Sequence, residues 1–249
     1  MKKIVSLFVF MAIMLSCQFM YGQSFTLGAR SGISVPNLSA GGSQTNPLNS
    51  GYSSRIGPDE AIFGEYHLSS AFSLEAMLEY SSQGGKKDGM QAFPNPNGDT
   101  PPYLYANFKS EAKLNYLLVP ILAKYNWKLG SNSPWRLYVD AGPFAGFLLS
   151  AHQVTSGSSN IYLDQAGQQQ ITPSPQSFDS TNNIKNQLNT FNFGVSGNVG
   201  LAYHFGKNNI FIEGGGNYGF LNIQKGTANG KNNTGAGTVA IGYAYTFWK

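Results

Sequence analysis

The chain has 249 residues, of which 11% are charged, 14% are aromatic and 30 are glycine, with a mean hydropathy of −0.20. That balance suits strands and turns in one large β domain or two small ones, and it excludes a helical membrane protein and a soluble helical bundle. The formal net charge of +4 comes with no basic run interleaved with aromatics, which excludes a nucleic-acid partner.

The N-terminal MKKIVSLFVFMAIMLSCQFMYGQ sets Lys2 and Lys3 before an apolar run, Ile4 to Leu15, and then small and polar residues. This is the layout of a secretory signal, expected to cover residues 1–22 and to leave residues 23–249 as one domain. Lipoprotein processing at Cys17 is the rival, on an imperfect lipobox. Cys17 is the only cysteine, so thiol chemistry and disulfides are not expected in the mature chain. Without Lys2 and Lys3 the net charge falls from +4 to +2.

Eight segments with apolar residues at every second position follow. The first, Ser24 to Val35, sets Phe25, Leu27, Ala29 and Ile33 against Thr26, Gly28, Arg30 and Gly32; the second, Ala61 to Leu68, sets Ile62 and Tyr66 against Phe63, Glu65 and His67. The third, Phe72 to Ser81, has Phe72, Leu74, Ala76, Leu78 and Tyr80 opposite Ser73, Glu75, Met77 and Glu79. The fourth, Asn115 to Trp127, places Lys124 and Asn126 on its polar side, and the fifth, Trp135 to Leu149, places Arg136 and Asp140 there. The last three are Phe191 to His204, Ile210 to Leu221 (with Glu213 on the polar side) and Thr238 to Trp248. Pro120 and Pro143 cannot donate to a ladder, so a bulge is expected at each.

The connections alternate long and short. Residues 36–60, 82–114, 150–190 and 222–237 are long or medium, polar stretches read as solvated, mobile loops, while 69–71, 128–134 and 206–209 are tight. That asymmetry belongs to an eight-stranded antiparallel up-and-down transmembrane β-barrel, with long loops outside the cell and both termini in the periplasm.

The polar face decides which way the barrel is turned. It is mostly Gly, Ala, Ser, Thr and Asn, with eight charges: Arg30, Glu65, Glu75, Glu79, Lys124, Arg136, Asp140 and Glu213. A soluble barrel's exterior would carry more charge. Small residues with a few mixed charges suit a narrow lumen, so the eight are expected to form an ionic network inside. Aromatics toward the strand ends, such as Tyr125, Trp127, Tyr218 and Phe220, fit interfacial girdles.

YLLVPILAKY (Tyr116 to Tyr125), LYVDAGPFAGFLLSA (Leu137 to Ala151), FNFGVSGNVGLAYHFG (Phe191 to Gly206) and IFIEGGGNYGFLNI (Ile210 to Ile223) together resemble the Bacteroidetes outer-membrane β-barrel family that includes PorT. Asn192 stands where that family has aspartate, Val119 where it has isoleucine, and Phe220-Leu221 where it has glycine-leucine. The resemblance implies a cell outer-membrane barrel whose partners are outer-membrane lipid, the barrel insertion machinery and other envelope proteins. A C-terminal aromatic read by that machinery would fall at Tyr245, Phe247 or Trp248. The resemblance does not imply membership of the type IX secretion assembly; an accessory role in that secretion or in envelope assembly is the alternative that it allows.

No cofactor, metal or catalytic site is expected. His67 and His204 fall at the periplasmic end and His152 at the start of an outer loop, too far apart to share a metal. Glu75 and Glu79, four apart on one strand face, are separated by about 13 to 14 Å and cannot work on one bond. GGGNYG (Gly214 to Gly219) lacks the lysine and helix of a phosphate loop. Ser150 and His152 are the only nucleophile and base near the outer leaflet, and they carry the remaining reading, a lipid-modifying enzyme.

Overall fold

The computed structural model describes residues 24–36, 47–48, 50–98, 100–226 and 231–247. The expected signal segment, Cys17 and Trp248 lie outside the described residues. Eight strands make the barrel, labelled here β1 (Phe25–Pro36), β2 (Gly57–His67), β3 (Phe72–Pro94), β4 (Tyr103–Lys128), β5 (Trp135–Ser156), β6 (Phe191–Phe205), β7 (Asn208–Gly219) and β8 (Gly235–Thr246). Each pairs antiparallel with its chain neighbours, and β1 closes the ring on β8 from Thr26/Thr246 to Pro36/Ala236. Closure leaves no unpaired edge, the condition for crossing lipid with strands.

Along β3 the residues alternate without a break: Ser73, Glu75, Met77 and Glu79 are buried while Phe72, Leu74, Ala76 and Leu78 are exposed. Ile62 and Ile241, 61% and 65% exposed, and Val199 and Ile212 show the same outward apolar face elsewhere. A face this apolar and this exposed is solvated by hydrocarbon. Edge-to-face aromatic pairs ring both ends of the band. Tyr125–Trp127 (4.7 Å), Trp135–Tyr203 (5.0 Å) and Tyr245–Phe247 (5.0 Å) sit at the short-turn end, and Phe147–Phe191 (5.7 Å) and Phe193–Phe220 (5.5 Å) at the other.

Two expectations are corrected. The register shift between β4 and β5 falls at Asn115/Tyr116, away from both prolines. At Pro120 the β3–β4 pairing passes from Ala76/Ile121 to Glu79/Leu118 in unchanged register, so the missing donor interrupts the ladder without adding a residue. Nor is 82–114 a loop. The β3–β4 ladder runs on from Ser82/Asn115 to Pro94/Tyr103, and β5 follows it to Ser156, where it takes up the short strand Ser180–Asn183. Beyond the bilayer the outer half of β4 still alternates, but with Leu104, Ala106, Phe108, Ala112 and Leu114 on the covered face and Asn107 and Lys109 toward water, the reverse of the lipid-facing part.

Ile241 lies midway along β8 on the outward face. Ile241→Arg is expected to destabilise the barrel in lipid vesicles by about 2–4 kcal/mol in urea titrations, the depth-dependent penalty for a charge on a lipid face. An unchanged unfolding midpoint would mean that this face does not meet hydrocarbon.

Candidate functional site

The lumen and its outer closure hold the polar and charged side chains that the sequence singles out. Alternation sends Arg30 (β1), Glu65 (β2), Glu75 and Glu79 (β3), Lys124 (β4), Asp140 (β5) and Glu213 (β7) inward, and all seven are buried. Six of them divide into two clusters. Arg30 is the hub of one: Nη2 lies 2.9 Å from Glu79 and 3.4 Å from Asp59, and Nη1 donates to Glu213. Lys124 Nζ is the hub of the other, 2.9 Å from Glu75 and 3.3 Å from Glu65, which also accepts a 2.6 Å hydrogen bond from Ser73. Asp140 accepts from Asn198 Nδ2 at 2.8 Å. Arg136 joins neither cluster. It is half-buried at the short-turn mouth and makes no ion pair among the described residues, Glu65 on the same cavity wall being held by Lys124 and Ser73.

Two members escape the sequence reading. Asp59 sits in Gly57–Pro58–Asp59, ahead of the expected start of the second segment, although β2 begins at Gly57. Tyr138 stands between Arg136 and Asp140 in the same inward parity, a signal that was available. Its ring passes over Gly200, its pairing partner on β6, and its hydroxyl donates to Glu213 on the next strand at 2.5 Å. Any Cβ at position 200 would collide with that ring. Phe63 covers Gly28 and Phe211 covers Gly242 in the same way, and Lys124 Nζ lies 4.2 Å from the centre of the Tyr138 ring. Aromatic cover over a bare cross-strand glycine lets an eight-stranded lumen hold three large rings beside its ions.

Toward the long-loop end the interior becomes apolar. Leu114, Tyr116, Leu118, Phe144 and Leu148 pack with Leu188 and Ile223, which descend from the two loops flanking β6 and β7. The loops are laced together: Asn189 N donates to Ile223 O (2.8 Å), Asn189 Nδ2 to Asn222 O (2.9 Å) and Lys225 N to Gln187 O (3.0 Å). Asn192 uses both ends of its amide, donating to Thr234 Oγ1 and accepting from Leu221 N. An aspartate there could accept but not donate.

Above the closure, Pro47, Leu48 and residues 52–55 are strapped onto the outer extension. Ser53–Ser54 pairs with Gly85–Lys86, Arg55 Nε donates to Glu111 (2.8 Å), and Arg55 Nη1 to Gln83 O (2.9 Å). Lys87 Nζ donates to Leu48 O (2.8 Å) and Pro47 O (3.3 Å) and lies 4.4 Å from the centre of the Tyr52 ring. Burial lowers the Lys87 ammonium to about 8. Farther out, Phe108 stacks on Phe178 with ring centres 4.5 Å apart, and Phe93 meets both edge-on.

The catalytic candidates stay apart. Ser150 Oγ takes a 3.0 Å hydrogen bond from Asn115 Nδ2, while His152 is paired in the ladder with Lys113 and Asn183. His67 Nε2 lies 2.9 Å from Thr26 Oγ1. Among the described residues no group of His, Cys, Asp and Glu has the geometry of a metal site.

The family model described as the outer membrane protein beta-barrel domain matches residues 20–225 of this chain. Among solved structures, the chain is similar to Neisserial surface protein A (15% identity, 91% of this chain and 99% of that one covered, TM-score 0.40). It is also similar to OprG from Pseudomonas aeruginosa (12% identity, 92% and 97% covered, TM-score 0.40) and to Ail of Yersinia pestis in complex with the heparin analogue sucrose octasulfate (11% identity, 92% and 100% covered, TM-score 0.38). No match was found among curated proteins.

Removing Arg30 leaves Asp59, Glu79 and Glu213 facing one another without a cation. Arg30→Met is expected to cost about 3–5 kcal/mol in denaturant unfolding, whereas Lys86→Ala on the outer extension stays within about 0.5 kcal/mol. Equal midpoints for the two variants would remove the network as a stabilising element.

Lys87 gives a pH dependence. Its folded-state value, about 8, lies below the ordinary lysine value of 10.5, so the folded protein releases this proton first and stability rises with pH between those values. The unfolding midpoint of the wild type relative to Lys87→Met is therefore expected to climb from pH 8 to pH 10. A flat difference would mean that the loop carbonyls and the Tyr52 ring fully offset the burial.

Proposed function

The chain belongs to the outer membrane protein β-barrel domain family, and from that premise we propose that it is a closed, non-catalytic barrel whose work is done by its outer extension, in envelope structure or in binding other envelope components. The observation that carries the reading is the filled interior. The Arg30 and Lys124 clusters, the Phe63, Tyr138 and Phe211 rings and the Leu114–Leu148 group under Leu188 and Ile223 succeed one another along the lumen. Water and solutes have no continuous path through such a column, so a porin role is disfavoured. Catalysis is disfavoured because Ser150 hydrogen-bonds an asparagine amide where a hydrolase would need a base. The strapped extension, held by Arg55, Lys87 and the Phe93–Phe108–Phe178 cluster, is a rigid surface of the kind that binding requires.

The four segments that resemble the PorT-containing group support a narrower affiliation, with a Bacteroidetes-type envelope and an accessory place in type IX secretion. Gene disruption separates the two levels, since unchanged cargo secretion leaves the structural and binding role alone.

The direct test is reconstitution in planar bilayers. The intact protein is expected to show no conductance steps, and a variant lacking residues 84–113 is expected to keep heat-modifiable migration while losing any surface binding of the intact protein. Steady open-channel steps from the intact protein would overturn the closed-barrel reading, and a lipid A mass profile altered by the protein would overturn the non-catalytic one.

A further inference from the structure

Arg136 has a location that the ionic network does not explain. It faces the periplasmic mouth of the lumen, half-buried, at the wall of a cavity of about 30 Å³ that it shares with His67, His204, Asn126 and Asn209. In the ladder it is paired directly with Lys128, on the same face of the sheet, and neither makes an ion pair among the described residues. Like charges directly opposite one another across a strand pair repel and destabilise the pairing. Lys207, in the neighbouring turn, donates to Phe247 O and adds a third cation at the rim.

Among the described residues Glu65 is the one carboxylate on the cavity wall. The periplasmic turns, 68–71, 129–134 and 206–207, contain no Asp or Glu. Glu65 is itself held by Lys124 Nζ at 3.3 Å and Ser73 Oγ at 2.6 Å, with His67 Nδ1 3.6 Å away. The side chains of Asn126 and Asn209 line the cavity without a hydrogen-bond partner among the described residues, so their amide donors remain available. The wall thus offers the Arg136 guanidinium and two amides around a space for one or two waters, with the Lys128 ammonium across the ladder at the rim and Lys124 engaged by its two glutamates. That space is too small for an organic ligand, yet it admits one edge of a tetrahedral oxyanion whose remaining oxygens stay in the open mouth. The planar fork of an arginine fits two oxygens of such a group.

We propose that the periplasmic mouth is a binding site for a phosphate-class oxyanion, held by Arg136 with Lys128 across the ladder and amide donation from Asn126 and Asn209. Two sources share that chemistry: inorganic phosphate in the periplasm, and the phosphate of an anionic phospholipid headgroup in the inner leaflet, beside the Trp127 and Trp135 girdle.

The test uses the full mature chain refolded in zwitterionic detergent and in vesicles. Inorganic phosphate is titrated at constant ionic strength against chloride, following the thermal midpoint of the heat-modifiable form. Separately, the midpoint is compared in phosphatidylcholine vesicles with and without phosphatidylglycerol. The expected result is a saturable rise in midpoint in at least one arm, with apparent affinity at least tenfold weaker in Arg136→Gln and several-fold weaker in Lys128→Gln, and unchanged in Lys86→Gln on the outer extension. A response in the phosphate arm identifies the free ion as ligand; a response confined to phosphatidylglycerol identifies the headgroup. No saturable response in either arm, or one that both Arg136→Gln and Lys128→Gln retain in full, overturns the site. Lys128 is exposed at the rim, so its variant remains informative even if Arg136→Gln fails to fold.

Discussion

Closure of the hydrogen-bonded ring is the constraint on which everything else in this molecule depends. In hydrocarbon an unpaired backbone N–H or C=O costs several kcal/mol, and only a ladder that returns to its first strand removes every edge. The β1–β8 pairing supplies that return. Eight strands then fix an interior too narrow to hold bulk water and too wide to be left empty, so side chains must fill it. Each inward side chain is therefore chosen twice, for its volume and for a partner that can satisfy it.

The filling meets that double demand in two different ways. In the half nearer the short turns, Arg30 and Lys124 each gather carboxylates from several strands, so the charges cross-link the wall from within. Such ionic groups owe much of their value to specificity of pairing, since a strand slipped by one residue would turn Glu75 or Lys124 out into lipid. Toward the outside, the leucines and Tyr116 need volume alone, and the loops bring Leu188 and Ile223 to complete them. Glycine makes the ionic half possible. Gly28, Gly200 and Gly242 yield the space beside the wall that Phe63, Tyr138 and Phe211 occupy.

How far the sequence discloses this depends on what solvates each face. Where lipid lies outside and polar groups inside, as in Phe72–Ser81, period-two alternation is unambiguous and gives strand, facing and register together. Asp59 lies ahead of the alternating run and is hidden by the Gly–Pro that opens β2. Tyr138 is hidden by habit, because an aromatic is expected to face lipid, and only its parity with Arg136 and Asp140 places it inside. Ser82–Pro94 gives no alternation, and in 103–114 the apolar residues Leu104, Ala106, Phe108, Ala112 and Leu114 fall in the parity that carries Lys124 farther down the strand, so the continued hairpin does not read as a lipid-facing pair. Leu188 and Ile223 are single apolar residues in polar stretches, and nothing local distinguishes a plug from an exposed side chain. Arg136 shares the charge and parity of the buried cations, and only its height in the barrel separates it from them.

The continued β3–β4 ladder changes where this protein meets its surroundings. From Ser82 to Pro94 the ribbon advances about 40 Å along the strand, more than the thickness of a bilayer's hydrocarbon core. Tilt shortens that rise, but the tip near Asn95 still stands well clear of the lipid surface. An eight-stranded barrel with hairpins ending at the headgroups would be buried among the sugars of its own leaflet. This one holds its tip up like a mast above them, within reach of large objects that never touch the membrane.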